Sequence, residues 1–250
     1  MIEGSRLAVV VPAHNEELWI AETVRRMPAY VDHVIVVDDK SRDATARAAI
    51  EPGDARVEVI RHAENRGVGA AIVTGYRRAL ALDADVAAVM AGDGQMHPDD
   101  LPAVALPVAR GEADYVKGNR LAYPGVWRTM PPARLAGTAA LAWLTRHAAG
   151  LDHLTDSQCG FTAISARALT VLGADLDALW PRYGYPNDLL GALARRGLRI
   201  DEAVVRPVYR GEASGLRAWH LATIGWLIGR IAWRRLTAEP ASEGAIVPAA

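Results

Sequence analysis

Cysteine is almost missing from this chain: Cys159 is the only one, so an internal disulfide is excluded and a reducing compartment is the simple expectation. A surplus of charge is missing too. Lysine and arginine number 28 against 29 aspartates and glutamates, a formal net charge of −1, so nothing global points to nucleic acid or to the steering of a polyanion. Any phosphate chemistry must come from local basic groups. No stretch approaches the roughly 20 uninterrupted apolar residues of a spanning helix. Residues 1–6 enter an apolar strand pattern at once, without the apolar core and small-residue cleavage site of a secretory leader. The expected location is therefore the cytoplasm, with contact at the inner face of a membrane left open. Internal repeats are absent, and low complexity is confined to residues 238–250, which read as a disordered tail.

What is present is a chain of 250 residues, 51% apolar and 23% charged, long enough to bury one large core. Short apolar runs at 7–11, 34–37, 57–60, 86–90 and 114–117 read as buried strands. Between them, 16–27, 42–50 and 68–82 carry helical spacing, with Asn15 as N-cap of the first, and Pro98 opens another helix. Strand and helix alternating at this pace predict an α/β fold with a doubly wound, mostly parallel sheet. After residue 117 the rhythm changes: helices are expected at 134–149 and 188–196, and strands at 161–164 and 200–208. No linker interrupts the chain, so 1–215 reads as one domain in which the second half forms the acceptor side of a single cleft.

In an open parallel sheet, ligands bind beyond the carboxyl ends of the strands. That edge gathers His14, Asn15 and Glu16 after the first strand, Asp38 and Asp39 after the second, Gly67 and Gly69 after the third, Asp93 and Gln95 after the fourth, and Lys117, Asn119 and Arg120 after the fifth. One strand-end carboxylate is an ordinary turn residue; convergence from five strands indicates a site. Asp38 or Asp39 can accept a hydrogen bond from a base N–H, whereas Ser41 and Asp43 read as helix starters. Asp93 and Gln95, two apart, project to one side if extended, and their hard oxygens suit Mg²⁺ or Mn²⁺ completed by diphosphate oxygens and water. An Asp-Gly turn is the commoner explanation of that spacing taken alone. Lys117, Arg120 and Arg134 are candidates for phosphate oxygens, while Arg128 reads as solvated surface. Residues 67–72 have the outline of a dinucleotide fingerprint, but they follow the third strand and Ile72 takes the place of the last glycine. They read as backbone close to a donor or as tight packing, not as an NAD site. His62, His97, His147 and His153 show no ligand spacing.

The ordered segments Val9-Val10-Val11-Pro12-Ala13-His14-Asn15-Glu16-Glu17, Val37-Asp38-Asp39-Lys40-Ser41-Arg42-Asp43-Ala44-Thr45, Asn65-Arg66-Gly67-Val68-Gly69-Ala70 and Gly92-Asp93-Gly94-Gln95-Met96-His97-Pro98 carry a resemblance. Val116-Lys117-Gly118-Asn119-Arg120 and Asp156-Ser157-Gln158-Cys159-Gly160-Phe161 continue it. From about residue 7 to 215 the chain resembles glycosyltransferase family 2, most nearly its dolichyl- or polyprenyl-phosphate sugar transferase branch. The resemblance implies a Rossmann-like GT-A fold, a nucleotide-diphosphate-sugar donor and inversion at the anomeric carbon. It implies that Pro12, Asn15, Glu16 and Asp39 line the nucleoside pocket, that Asp93 and Gln95 bind the metal, and that Arg120 binds a phosphate. Asp156 and Asp188 fall near family carboxylates that position or deprotonate an acceptor; a lipid-phosphate acceptor, already anionic, needs no strong base. Two departures stand out. Ala91 replaces the Asp that usually begins the metal motif, and the segment 211–215 resembles the Gly-Glu-Ser-Lys loop of lipid-phosphate transferases but lacks the lysine. Ala91 keeps open the alternative of a catalytically silent nucleotide-sugar-binding protein. A nucleotidyltransferase would instead want a glycine-rich, basic loop after the first strand, which Pro12-Ala13-His14-Asn15 is not.

Residues 216–236 form an apolar stretch of helical period with Trp219, Trp226 and Trp233 every seven residues and Arg230, Arg234 and Arg235 at the far end. Such an amphipathic helix suits either the headgroup layer of a membrane or packing on the domain or on a second subunit.

Overall fold

The computed structural model describes residues 1–208 and 218–237, with side chains of the last helix described from Leu221 onward. The expected disordered tail, the 211–215 loop and the Trp219 side chain lie outside the described residues. In chain order the elements are β1 (Leu7–Ala13), α1 (Ile20–Arg25), β2 (His33–Asp38), α2 (Thr45–Ile50), β3 (Val57–Arg61), α3 (Val68–Ala81), β4 (Val86–Val89), α4 (Leu101–Ala109), β5 (Tyr115–Asn119), α5 (Val126–Thr129), α6 (Pro132–Ala149), β6 (Thr162–Ser165), α7 (Ala166–Leu172), α8 (Tyr185–Arg195), β7 (Ile200–Val204) and α9 (Ala218–Thr237).

Seven strands make one sheet in the order β3-β2-β1-β4-β6-β5-β7. β1 is central: Val9 pairs in parallel with Val34 of β2 on one side and with Ala88 of β4 on the other. All seven of its residues are buried, because both faces of the sheet are covered. Ala8 and Val10 face a core shared with α3, α7, α8 and α9, while Leu7, Val9, Val11 and Ala13 face α1, α2 and α4. The chain leaves β1 towards β2 on one side and returns at β4 on the other, so the strand order switches at β1, where a crevice opens beyond the carboxyl ends.

β6 alone runs against its neighbours: Thr162 pairs with Val89 and Ser165 with Val86 of β4, and Thr162 also pairs with Lys117 of β5. An antiparallel strand presents its amino end where parallel strands present their carboxyl ends. The segment before β6, with Asp156 to Phe161, is thereby delivered to the ligand edge.

Several local expectations change. The first helix spans Ile20–Arg25, shorter than 16–27, and Asn15 does not cap it. Asn15 instead takes a left-handed φ of 60°, donates its N–H to Ser41 Oγ at 2.9 Å and accepts from Arg42 N at 2.9 Å through Oδ1. A tertiary partner across the sheet edge outcompetes the cap. α2 starts at Thr45 rather than 42, and β7 ends at Val204 rather than 208. α7 has no counterpart among the expected elements, although Ser165 caps it by accepting from Ala168 N at 3.0 Å. α9 buries Ile224, Leu227, Ile228 and Ile231 against α6 and α8 and leaves Trp226 and Trp233 56% and 69% exposed. It therefore packs on the domain with one face and offers the other outward.

The approach of α3 to β1 depends on Gly75, where a Cβ would stand 2.1 Å from Val10 Cγ1. Alanine has better helix propensity by about 0.5–1 kcal/mol, but overpacking a core costs about 1–3 kcal/mol. Gly75→Ala is expected to lower the urea midpoint; an unchanged or raised midpoint would show that Val10 yields without cost.

Candidate functional site

Beyond the carboxyl ends of β1, β2 and β4 lies a cavity of about 580 Å³. Pro12, Ala13, His14 and Glu16 line it from β1 and its following turn, Asp39 from the end of β2, and Ala91, Gly92 and Asp93 from the end of β4. Asn65, Gly67, Val68 and Ala71 enter from the β3–α3 connection, Trp180, Arg182 and Tyr183 from the segment before α8, and Thr223 from α9. Of the residues expected to bind a donor, Pro12, Glu16, Asp39, Gly67 and Asp93 share this wall. Asn15 and Asp38 do not line it and serve the loop beneath. Asp38 is wholly buried, accepts from Ser41 N at 2.8 Å and has Arg61 Nε 3.1 Å from Oδ2.

Asp39 organises the cavity floor. Gly67 N–H donates to its Oδ2 at 2.6 Å, Arg66 N–H to its Oδ1 at 2.8 Å, and His62 Nδ1 stands 2.7 Å from the same Oδ1. Burial pushes this carboxyl upward, but the Arg66, His62 and Gly67 donors together hold it below the usual carboxylate range. A carboxylate offers about four acceptor positions; these three donors leave one on Oδ2. His62, which carried no signal in the sequence, is thus the side chain that fixes Asp39, with its Nε2 3.0 Å from Thr74 Oγ1.

The glycine-rich turn is spent on close packing. Gly67 has φ +97°, and a Cβ on it would lie 2.5 Å from Pro181 O; a Cβ on Gly69 would lie 2.7 Å from Trp180 O. Two of the first N–H groups of α3 are taken by the chain itself, since Gly69 N and Ala70 N both donate to Pro181 O, at 2.8 and 3.2 Å.

Asp93, Gly94 and Gln95 form a turn rather than an extended segment: Gly94 has φ +69°, and Gln95 N–H donates to Asp93 Oδ1 at 2.9 Å. The two side chains therefore do not project side by side as in a strand, and only Asp93 lines the cavity. Among the described residues no group of three or more His, Cys, Asp or Glu side chains is arranged to hold a metal. One aspartate at the end of β4, Asp93, does fit Mg²⁺ or Mn²⁺ arriving with a diphosphate, because Mg²⁺ commonly keeps several waters and binds through one or two carboxylates plus substrate phosphates.

Of the remaining expected site residues, Lys117, Arg120 and Asp156 form a second, buried cluster. Lys117 is wholly buried, donates from Nζ to Cys159 O, and is held below the usual lysine range by burial. Arg120 grips Asp156 with Nε at 2.9 Å from Oδ2 and an Nη at 3.1 Å from Oδ1. Burial pushes the Asp156 carboxyl up, and Arg120 with Lys117 outweighs it to hold it below the usual range. Glu202 of β7 ties this loop down, accepting from Asp156 N at 2.8 Å, Thr155 Oγ1 at 2.7 Å and Asn119 Nδ2 at 2.8 Å. Asp188 receives Trp180 N at 2.8 Å and Arg230 at 2.6 Å, both on Oδ2. Arg134 is half-buried on α6. None of Lys117, Arg120, Arg134, Asp156, Gln95 or Asp188 is among the residues lining the cavity. Conversely, Trp180, Arg182, Tyr183 and Thr223 were not singled out from the sequence, although Trp180-Pro181-Arg182-Tyr183-Gly184-Tyr185 is an aromatic loop of the kind that carries binding groups.

Two outcomes follow for stability. Because the folded Asp39 carboxyl lies below its unfolded value, its contribution is present above about pH 4 and is lost as pH falls through the folded value. Asp39→Asn is expected to be less stable than the native chain at pH 7, with the gap in urea midpoint narrowing on acidification; a gap independent of pH would contradict this. Removing Arg120 leaves Asp156 buried and short of its charge partner, so Arg120→Ala is expected to cost about 3–5 kcal/mol in urea unfolding.

Comparison with known proteins adds to this geometry. The pattern of Glycosyl transferase family 2 matches residues 8–173. The chain is 32% identical over 216 residues to the UDP-N-acetylglucosamine–dolichyl-phosphate N-acetylglucosaminyltransferase of Methanococcus voltae, covering 80% of this chain and 85% of that one. It is 33% identical over 213 residues to the undecaprenyl-phosphate mannosyltransferase of Micrococcus luteus, covering 82% and 84%. Among solved structures, glucosyl-3-phosphoglycerate synthase of Mycobacterium tuberculosis with Mn²⁺, uridine diphosphate and phosphoglyceric acid superposes with a TM-score of 0.69 at 22% identity, covering 95% of this chain and 81% of that one, a likeness of fold.

Proposed function

The chain belongs to glycosyltransferase family 2, and on that premise we propose that it moves a sugar from a nucleotide-diphosphate-sugar to a polyprenyl or dolichyl phosphate, with inversion. The observation that carries the reading is the convergence of Pro12, Glu16, Asp39, Gly67 and Asp93 on one cavity at the switch point of the sheet. Pro12 and Gly67 offer surfaces for the nucleoside, and the remaining acceptor position of Asp39 suits a base N–H. Asp93 faces the diphosphate, and with Gln95 nearby it would hold a divalent ion whose chemistry is to neutralise charge on the departing nucleoside diphosphate. The relatives that act on dolichyl and undecaprenyl phosphate support the acceptor class.

A phosphate-monoester oxygen of the acceptor attacks the anomeric carbon. The bond to the donor diphosphate breaks, and the nucleoside diphosphate leaves with the electron pair. The second phosphate pKa is about 6, so the nucleophile is already anionic at neutral pH. No side chain has to remove a proton. That accords with Asp156 and Asp188 both being buried and ion-paired.

A lipid acceptor places the reaction at a membrane. Among the described residues no helix is long and apolar enough to cross one. The outward face of α9 instead shows Leu221, Trp226, Trp233 and Leu236 next to Arg235, and α6 beside it shows Trp143 and Leu144. Neither helix contains an acidic residue. Indole rings with arginines suit an anionic headgroup layer, and we assign peripheral contact to this face. One observation favours a second reading: Ala91 lines the cavity where the family usually has a carboxylate, as a protein that binds the donor without transferring it would allow.

Calorimetry against UDP-, GDP- and dTDP-sugars, with and without Mn²⁺, is the primary test. One donor is expected to bind, and Asp93→Ala is expected to weaken it about tenfold or more in the presence of metal. Incubation of that donor with a short-chain polyprenyl phosphate should release the nucleoside diphosphate; binding without release would favour the silent binder. Trp233→Ser with Leu236→Ser should reduce sedimentation with anionic liposomes while leaving donor affinity intact.

A further inference from the structure

The segment from Trp180 to Gly184 is held from two sides. Towards the sheet edge it docks on the glycine-rich turn: besides the Pro181 carbonyl bonds, Arg182 donates to Asn65 Oδ1 at 3.1 Å and to Asn65 O at 3.0 Å. Towards the outside it docks on α9. The Trp226 ring meets Trp180 edge-on at 5.9 Å, and Leu227 fills the space over Gly184, where a Cβ would stand 2.4 Å from Leu227 Cδ1. Asp188 sits at the join. It is almost wholly buried, and one of its oxygens receives both the Trp180 N–H and the Arg230 guanidinium, which also lies 4.9 Å over the Trp226 ring. Thr223, one turn before Trp226 on α9, lines the cavity itself.

We propose that Asp188 is a positioning residue for the donor, and that through its pair with Arg230 the helix α9 acts as a wall of the donor cavity. The inference rests on the donor-binding reading of that cavity. A general base must come within hydrogen-bond reach of the proton that it removes; Asp188 lies behind the wall and is engaged by Trp180 and Arg230. Its charge fixes where Trp180 stands, and Trp180 with Arg182 fixes the turn that Asp39 holds from the other side. The helix that carries the exposed tryptophans is thereby part of the donor site.

The test is a double-mutant cycle on the full chain, read by donor calorimetry and by kcat at saturating donor, with circular dichroism and melting as the check on folding. Asp188→Asn and Arg230→Met are each expected to raise the donor Kd about tenfold while kcat stays within about twofold, since only binding geometry is lost. The double variant, with neither charge left buried alone, is expected to regain most of the affinity. Should the single variants fail to fold, Trp226→Leu probes the same wall from its half-exposed side and is expected to raise the donor Kd about threefold or more. Folded variants that bind the donor as the native chain does would overturn the proposal. So would a loss of kcat with Kd unchanged, which would return Asp188 to the chemistry. If the native chain binds no nucleotide sugar, the proposed function fails and takes this inference with it; native binding with indifferent variants sinks the inference alone.

Discussion

The carboxylate of Asp39 is the point on which the cleft depends. It is buried at the end of a central strand and collects backbone donors from Arg66 and Gly67 together with His62. Left unpaired there, the charge would be costly; fully hydrogen-bonded, it locks the β3–α3 turn against the end of β2. That turn in turn accepts the Trp180–Arg182 segment, because Gly67 and Gly69 have no side chains to hold it off. One hydrogen-bonded carboxylate therefore sets the floor of the cavity and, at one remove, its far wall. The same packing engages two N–H groups at this helix start, since those of Gly69 and Ala70 face Pro181 O.

The second half of the chain is joined to this centre by one reversed strand. Running β6 between β4 and β5 brings the loop from Thr155 to Phe161 to the ligand edge, where Glu202 and Arg120 hold it. The buried charges there are arranged as a closed set: Arg120 and Lys117 face Asp156, and Glu202 takes the backbone N–H groups of Thr155 and Asp156. Such a set specifies one arrangement of the loop, because any partner removed leaves a buried charge or dipole unmet. In a reaction whose nucleophile is an anionic phosphate, carboxylates held in this way are free to serve structure rather than proton transfer.

Much of the fold was legible in the sequence because strand and helix signals are local. The buried run Leu7 to Val11, the alternation through Met90 and the polar groups at each strand end gave the parallel α/β core and the edge at which a site would form. The ordered motifs gave the family. The sequence also indicated Pro12, Glu16, Asp39, Gly67 and Asp93, which the fold brings to one wall. Element ends were less legible: Asn15 has the chemistry of a cap but spends it on Ser41 and Arg42, partners 26 and 27 residues away.

What the sequence determined by itself was thus the class of fold and the edge of the sheet where ligands meet it, which follow from residue type and short-range spacing, and the family, which follows from the resemblance of its ordered motifs. Tertiary structure alone decided the rest: that β6 runs antiparallel, that His62 serves Asp39, and that Trp180 and Thr223 complete the cavity. Each of these depends on groups far apart in the chain meeting in space. Which of several available partners a carboxylate or an indole takes is settled by burial and close packing, and spacing along the chain carries no record of that choice.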